Sequence, residues 1–194
     1  MQFKRMFTTD AYKGTCGYLR TQKNYEILRT ALYFAISLSL FIAGWVSTGS
    51  RENLLTIVAV LGCLPACKSL VEMFMFLRYK GCDEKDAAQI AAHTIGLTGL
   101  YDMVFTSYEK NYVIHHLTVC GNTVCGYTTD PKFAEQAFYK HIQDILKKDN
   151  YREVSVKIFN DLDKYLKRCE QLKELPAQPE LSAGICQTLK SVSL

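Results

Sequence analysis

Charge is missing from two long stretches of this 194-residue chain: nothing between Thr30 and Ser50 is ionisable to a full charge, and Asn53 to Cys67 is equally free of it. Glycine and proline are also modest, with 11 and 4 residues, which excludes a collagen-like repeat, and 48% hydrophobic residues exclude wholesale disorder. No Gly-rich phosphate loop, Ser-centred elbow or His-Glu-x-x-His sequence occurs. Soluble-enzyme readings therefore lack a nucleophile or a metal motif. No Ala-x-Ala pattern follows the first apolar run, and some thirty polar residues precede it, which argues for a retained anchor over a cleaved signal.

The two uncharged runs read as a transmembrane helical hairpin over residues 30–80. About 20 apolar residues rising 1.5 Å each cross the ~30 Å of bilayer hydrocarbon. The connection between them is short, so the helices must return antiparallel, and Pro65 is expected to kink the second. Residues 1–29 form a basic juxtamembrane segment with six Lys/Arg against two acids, and Arg78 and Lys80 follow the second run. Basic flanks on both sides put both termini in the cytoplasm of a multi-pass plasma (inner) membrane protein. They also favour anionic lipids in the bilayer, by about 1 kcal/mol per cation near the surface. Eight cysteines in a reducing compartment are expected to be free thiols.

Small residues at Ala31, Ala35, Ser39, Ala43 and Ser47 recur every fourth position, a helix-packing stripe that permits close backbone approach inside the hairpin or between copies. Lys68 and Glu72 are a charge pair on one face of the second span. Lys68 lies close enough to the cytoplasmic boundary for its stem to snorkel, so the pair is read as interfacial.

Residues 82–175 have the composition of a soluble α+β domain. A helix is expected over Asp83–Thr98, then strands Tyr101–Tyr108, Tyr112–Cys120 and Thr123–Thr129 with two-residue turns at Lys110-Asn111 and Gly121-Asn122. Asp130-Pro131 should start the next helix. Glu153–Phe159 alternates as an edge strand, and Asn160 should cap a helix with the stripe Leu162, Tyr165, Leu166, Cys169 and Leu172. Residues 176–194 show no sustained period and are read as a flexible tail. The fold class is thus α+β: a two-helix transmembrane hairpin followed by a small cytoplasmic αβββαβα domain.

That αβββαβ order resembles the restriction-endonuclease-like core. The resemblance implies an Asp near the second strand and a Glu-x-Lys type pair on the third to hold a metal. The chain departs from this pattern, having no carboxylate between Glu109 and Asp130. The stretch Gly17 to Tyr79, with Tyr18-Leu19-Arg20-Thr21-Gln22-Lys23 and Leu54-Leu55-Thr56-Ile57-Val58-Ala59-Val60-Leu61-Gly62, resembles small two-span membrane proteins of Gram-positive bacteria. That likeness implies location and no activity.

Pairing across Gly121-Asn122 puts His116, Cys120 and Cys125 on one sheet face, the nearest approach to a metal site, but a fourth ligand is missing and burial as core thiols is the simpler reading. Strand alternation places His115 and His116 on opposite faces. His141 lies on an apolar stripe and His93 on an exposed face. No catalytic residue, metal or cofactor is assigned. The expected function is a non-enzymatic membrane protein presenting the module to a protein partner or to a second copy. A degenerate nuclease-like or nucleic-acid-binding module and a small oligomeric pore are the alternatives. Twelve Lys/Arg against fourteen acids give residues 82–175 a net charge of −2, which argues against a nucleic-acid partner.

Overall fold

The computed structural model describes residues 10–108, 110–176 and 178–194. They divide into two compact units, residues 19–80 and residues 10–18 with 81–194. The first unit is helical. α1 (Tyr18–Thr48) starts well upstream of the uncharged stretch, so residues 18–30 belong to the same helix. α2 (Leu54–Arg78) continues through Pro65 and is capped by Asn53, whose Oδ1 accepts from Thr56 N at 2.8 Å. Both helices are long and apolar enough to cross a membrane, and only 17% of each apolar window is buried.

The second unit is α+β. It contains α3 (Glu84–His93), β1 (Thr98–Thr106), β2 (Asn111–Cys120), β3 (Thr123–Tyr127), α4 (Glu135–Lys148), β4 (Ser155–Phe159), α5 (Leu162–Lys173) and α6 (Pro179–Val192). The sheet order is β1-β2-β3-β4, with the first two pairings antiparallel and β3–β4 parallel through the α4 crossover. Gly121 at φ 53 supplies the tight β2–β3 turn, and Cys120↔Thr123 and Thr118↔Cys125 pair in the register expected from the sequence. The β1–β2 connection differs: strand pairing stops at Thr106↔Asn111, Asn111 is already in β2, and Ser107 N donates to Lys110 O at 3.1 Å.

Two cores sandwich the sheet. One face carries Leu100, Phe105, Ile114, Val124 and Ile158 against Phe138, Ile142 and Leu146 of α4 and Ile185 and Leu189 of α6. The other carries Cys125 and Tyr127 against Ile90 of α3 and Tyr165, Leu166, Cys169 and Leu172 of α5.

Three expectations are corrected. The segment from Pro176, read as a flexible tail, contains α6: Ser182, Ile185, Cys186, Thr188 and Leu189 are buried at helical spacing, a stripe short enough to be missed among Ser, Gln and Gly. Asp130 caps a turn, its Oδ1 accepting from Lys132 N at 2.9 Å, and α4 begins five residues later. Asp161, next to the expected Asn160, caps α5 by accepting from Lys164 N.

The edges of the sheet are unequal. β1 is covered by chain ends: Tyr101 N donates to Gly14 O at 2.9 Å, Leu194 N to Val104 O at 2.9 Å, and Lys13 Nζ to Ser193 O at 3.0 Å. Residues 10–18, read in the sequence as part of the basic N-terminal segment, thereby join the α+β unit. β4 forms the other edge.

Candidate functional site

Alternation in a strand should place residues two apart on one face, yet Leu100 and Met103, and likewise Ile114 and Leu117, all enter the same core. The step of three arises where Asp102 and His115 lie opposite each other between the pairs Tyr101↔His116 and Met103↔Ile114. Asp102 adopts φ 54, a left-handed backbone that Asp tolerates better than most residues. The buried Asp102 side chain accepts from Cys82 N at 2.7 Å through Oδ1. A Cβ on Gly81 would lie 2.9 Å from Asp102 Oδ2, so a side chain there would press on the carboxylate.

This reset brings His115 and His116 toward the same group of rings, where simple alternation separates them. The His115 ring centroid is 6.1 Å from Tyr127, the His116 centroid is 5.9 Å from Tyr165, and Tyr127 stacks on Tyr165 at 5.9 Å. His116 Nδ1 and Thr118 Oγ1 each lie 2.6 Å from the Tyr165 hydroxyl. Burial pushes the His116 pKa down to about 3, so its ring is neutral. A chain in which Thr118 donates to Tyr165, and Tyr165 to the unprotonated Nδ1, satisfies all three groups. His115 Nε2 is 2.8 Å from Thr129 Oγ1 and its Nδ1 is buried with no partner among the described residues. Burial lowers its pKa as well, opposed by Asp102, Asp86 and Asp83. Tyr127 donates to Asp86 Oδ2 at 3.0 Å, and burial together with Asp86 raises its phenol to about 12.

The three metal candidates do share this face, but each is engaged in the core. His116 bonds to Tyr165, Cys120 Sγ lies 3.4 Å from Leu172 O, and Cys125 is fully buried with its thiol pushed up to about 11 by burial. Zinc binds thiolate and unprotonated imidazole nitrogen, and among the described residues no group of three His, Cys, Asp or Glu is placed to hold a metal. Cys82, raised by burial and by Asp102 to about 12, is likewise a thiol and no nucleophile. His141 is half-buried and stacks on Tyr112 at 6.4 Å, while His93 Nδ1 is 2.7 Å from Glu170 Oε1 on the exterior.

In the helical unit, Glu72 has a different principal partner from the one its spacing suggests. Lys68 is 80% exposed and its Nζ stands 3.9 Å from Glu72 Oε1, whereas Arg29 of α1 bonds both Glu72 and the buried Glu26. Arg29 Nε also donates to Ser69 Oγ at 3.2 Å, Thr30 Oγ1 is 2.9 Å from Ser69 Oγ, and Gln22 Nε2 donates to Glu26 Oε1 at 2.9 Å. The sequence carried a signal for this network in Glu26 and Arg29 at i and i+3, but Arg29 reads as a flanking cation when α1 is started at residue 30.

The packing face of α1 differs from the expected stripe. Ala31, Ala35, Ser39, Ala43 and Ser47 are all exposed, while Thr30, Ser37 and Gly44 are buried, as are Ala59, Ala66 and Ser69 of α2. A Cβ on Gly62 would lie 2.8 Å from Ser37 Oγ, and one on Gly44 would lie 2.7 Å from Asn53 Oδ1. Hydroxyls and glycines therefore line the contact, where polar hydrogen bonds join close backbones.

No protein-family model, curated protein or solved structure matches the chain.

Proposed function

We propose that the protein is a non-enzymatic membrane protein in which a two-helix transmembrane hairpin tethers a cytoplasmic α+β module that assembles with a second copy or another protein. The observation that carries this reading is the outward face of the two helices. Val46, Leu54 and Leu64 are 79%, 75% and 68% exposed, and Ile57, Val60, Val71 and Phe74 lie open beside them. Each side chain of this size gains roughly 1.5–3 kcal/mol on leaving water, so a lipid environment suits the surface. The polar side chains Thr30, Ser37 and Ser69 are turned inward, the inversion expected of helices in hydrocarbon. Basic residues flank both spans and favour cytoplasmic ends.

Self-assembly is supported by the exposed small-residue stripe Ala31, Ala35, Ser39, Ala43 and Ser47, a close-approach surface that the chain's own hairpin does not use. The test is the mass of the full protein in nanodiscs by native mass spectrometry. A defined oligomer that falls to monomer with Ala35→Leu and Ala43→Leu supports the reading. A monomer at every concentration removes self-assembly, and release from membranes by alkaline carbonate removes the anchor.

The element order α3-β1-β2-β3-α4-β4 is the observation behind a second reading, a module related to the restriction-endonuclease-like core without its chemistry. β2 and β3 contain no carboxylate, so metal-held water has no ligands at the positions that resemblance implies.

A further inference from the structure

The parallel pair β3–β4 aligns Thr123 with Ser155, Cys125 with Lys157 and Tyr127 with Phe159. Thr123, Cys125, Ser155, Lys157 and Phe159 form the floor of a cavity of about 480 Å³. Its wall is one face of α5, with Lys164, Lys167, Arg168 and Gln171 at helical spacing. Four of these nine residues are cations and none is a carboxylate, in a module whose core residues 82–175 carry a net −2.

The cations are poorly compensated. Lys164 Nζ is 3.8 Å from the exposed Asp161, a contact worth little in water, and Glu170 on the same helix is turned to His93. Lys157 Nζ lies 5.4 Å over the Phe159 ring. Arg168 Nη1 donates to Gln171 Oε1 at 3.0 Å, which holds one arm of the guanidinium beside the groove and leaves the rest of the fork for a ligand. Burial keeps the Cys125 thiol protonated, so the floor supplies no anion. A lysine on an edge strand is a common guard against strand pairing, which accounts for Lys157 alone. It does not account for three more cations converging from α5, whose mutual repulsion an anion between them would relieve.

We propose that this groove binds a small phosphorylated anion, with Arg168 presenting its planar fork to the phosphate and Lys157, Lys164 and Lys167 closing on it from the two sides. Phosphate matches the set better than a monocarboxylate because it brings up to two charges and three acceptor oxygens to several donors. The volume suits a metabolite or a lipid headgroup, whereas a nucleic-acid track needs cations extended along a strand. Thr123, Ser155 and Gln171 add neutral hydrogen-bonding groups, and Phe159 adds an apolar wall.

The test uses the full chain in phosphatidylcholine nanodiscs with inorganic pyrophosphate as the probe. Binding is read by calorimetry and by protection of Lys157, Lys164 and Lys167 from an amine-acylating ester, quantified by mass spectrometry. Pyrophosphate is expected to bind and to protect these lysines, with Arg168→Gln and Lys167→Gln each weakening it about tenfold. Lys167 is exposed, so Lys167→Gln should leave the melting temperature unchanged, and Lys140→Gln, outside the groove, serves as the control. Nanodiscs containing phosphatidic acid distinguish the source: protection by the lipid alone, lost in the same variants, assigns the headgroup, and protection only by added pyrophosphate assigns a free metabolite. Either supports the proposal. Absence of protection with both probes overturns it, as does binding that Arg168→Gln leaves intact. Tighter binding of a DNA or RNA oligonucleotide, with pyrophosphate silent, overturns it in favour of a nucleic-acid surface.

Discussion

Replacing His116 with Phe should remove one defined part of the acid sensitivity of the α+β module. His116 is 1% exposed, and burial holds its pKa at about 3 in the folded state against 6.5 in the unfolded chain. Between those values the unfolded chain binds the extra proton, so the contribution is fully present above pH 6.5 and is lost as pH falls toward 3. The slope approaches about 1.4 kcal/mol per pH unit, which amounts to about 2 kcal/mol between pH 6 and 4.5. His116→Phe keeps a ring between Tyr101 and Tyr165 and leaves the Tyr165 hydroxyl bonded to Thr118 at 2.6 Å. Its neutral-pH stability falls through the lost Tyr165–His116 hydrogen bond, by about 1 kcal/mol, but the pH slope that belongs to His116 disappears. His115, lowered in the same direction, titrates in both proteins and cancels in the comparison. The assay is urea unfolding of the full chain in detergent, followed by tyrosine near-ultraviolet circular dichroism at pH 6 and 4.5. The natural protein should lose roughly 1 M more in midpoint than the variant, for the slopes usual in small domains. Equal losses in both proteins would refute the reasoning, because His116 would then be solvated or protonated in the folded state.

Three further outcomes follow from the packing. Arg29→Gln leaves Glu26, whose side chain is 2% exposed, without its cation and should cost about 3–5 kcal/mol in the melting of the detergent-solubilised protein, whereas Lys68→Gln should stay within about 0.5 kcal/mol. Leu189→Ala empties a fully buried site in α6 and should cost about 2–5 kcal/mol by urea titration, and a chain ending before Pro179 should fail to give the dispersed amide spectrum of a folded module. Gly62→Val inserts atoms at a position where even the Cβ would sit 2.8 Å from Ser37 Oγ and should destabilise the helix pair by about 1–3 kcal/mol, with Gly62→Ala milder, by thermal melting followed at Trp45.

The strands and helices of the module were legible because each shows its own period: Val154, Val156 and Ile158 alternate, and Leu162, Tyr165, Leu166, Cys169 and Leu172 recur at helical spacing. The Gly121-Asn122 turn even fixed the pairing of Cys120 and Cys125 with their neighbours. What escaped depends on contacts between distant segments. The left-handed Asp102 opposite His115 changes the facing of every later residue in both strands, and nothing local to Tyr-Asp-Met announces it. α6 was hidden because Ser182 and Thr188 occupy buried positions, where their polarity masks the stripe that Ile185 and Leu189 complete. On α1 the run of small residues was visible, but which face meets α2 is decided by hydrogen-bonding partners such as Ser69 and by the close approach of Gly62. The groove beside α5 was invisible for the same reason, since Lys157 joins Lys164, Lys167 and Arg168 only once β4 lies parallel to β3.

The central claim, a membrane hairpin whose tip is outside and whose module is inside, is tested most directly by thiol labelling of cells that express the protein. The eight natural cysteines all lie away from residues 49–52, and Cys16 is exposed. With a membrane-impermeant maleimide on intact cells, Ser50→Cys should label while the natural protein does not, and Cys16 should label only after permeabilisation. Labelling of Cys16 in intact cells with Ser50→Cys protected would contradict the orientation, and equal labelling of both would contradict the membrane anchor itself.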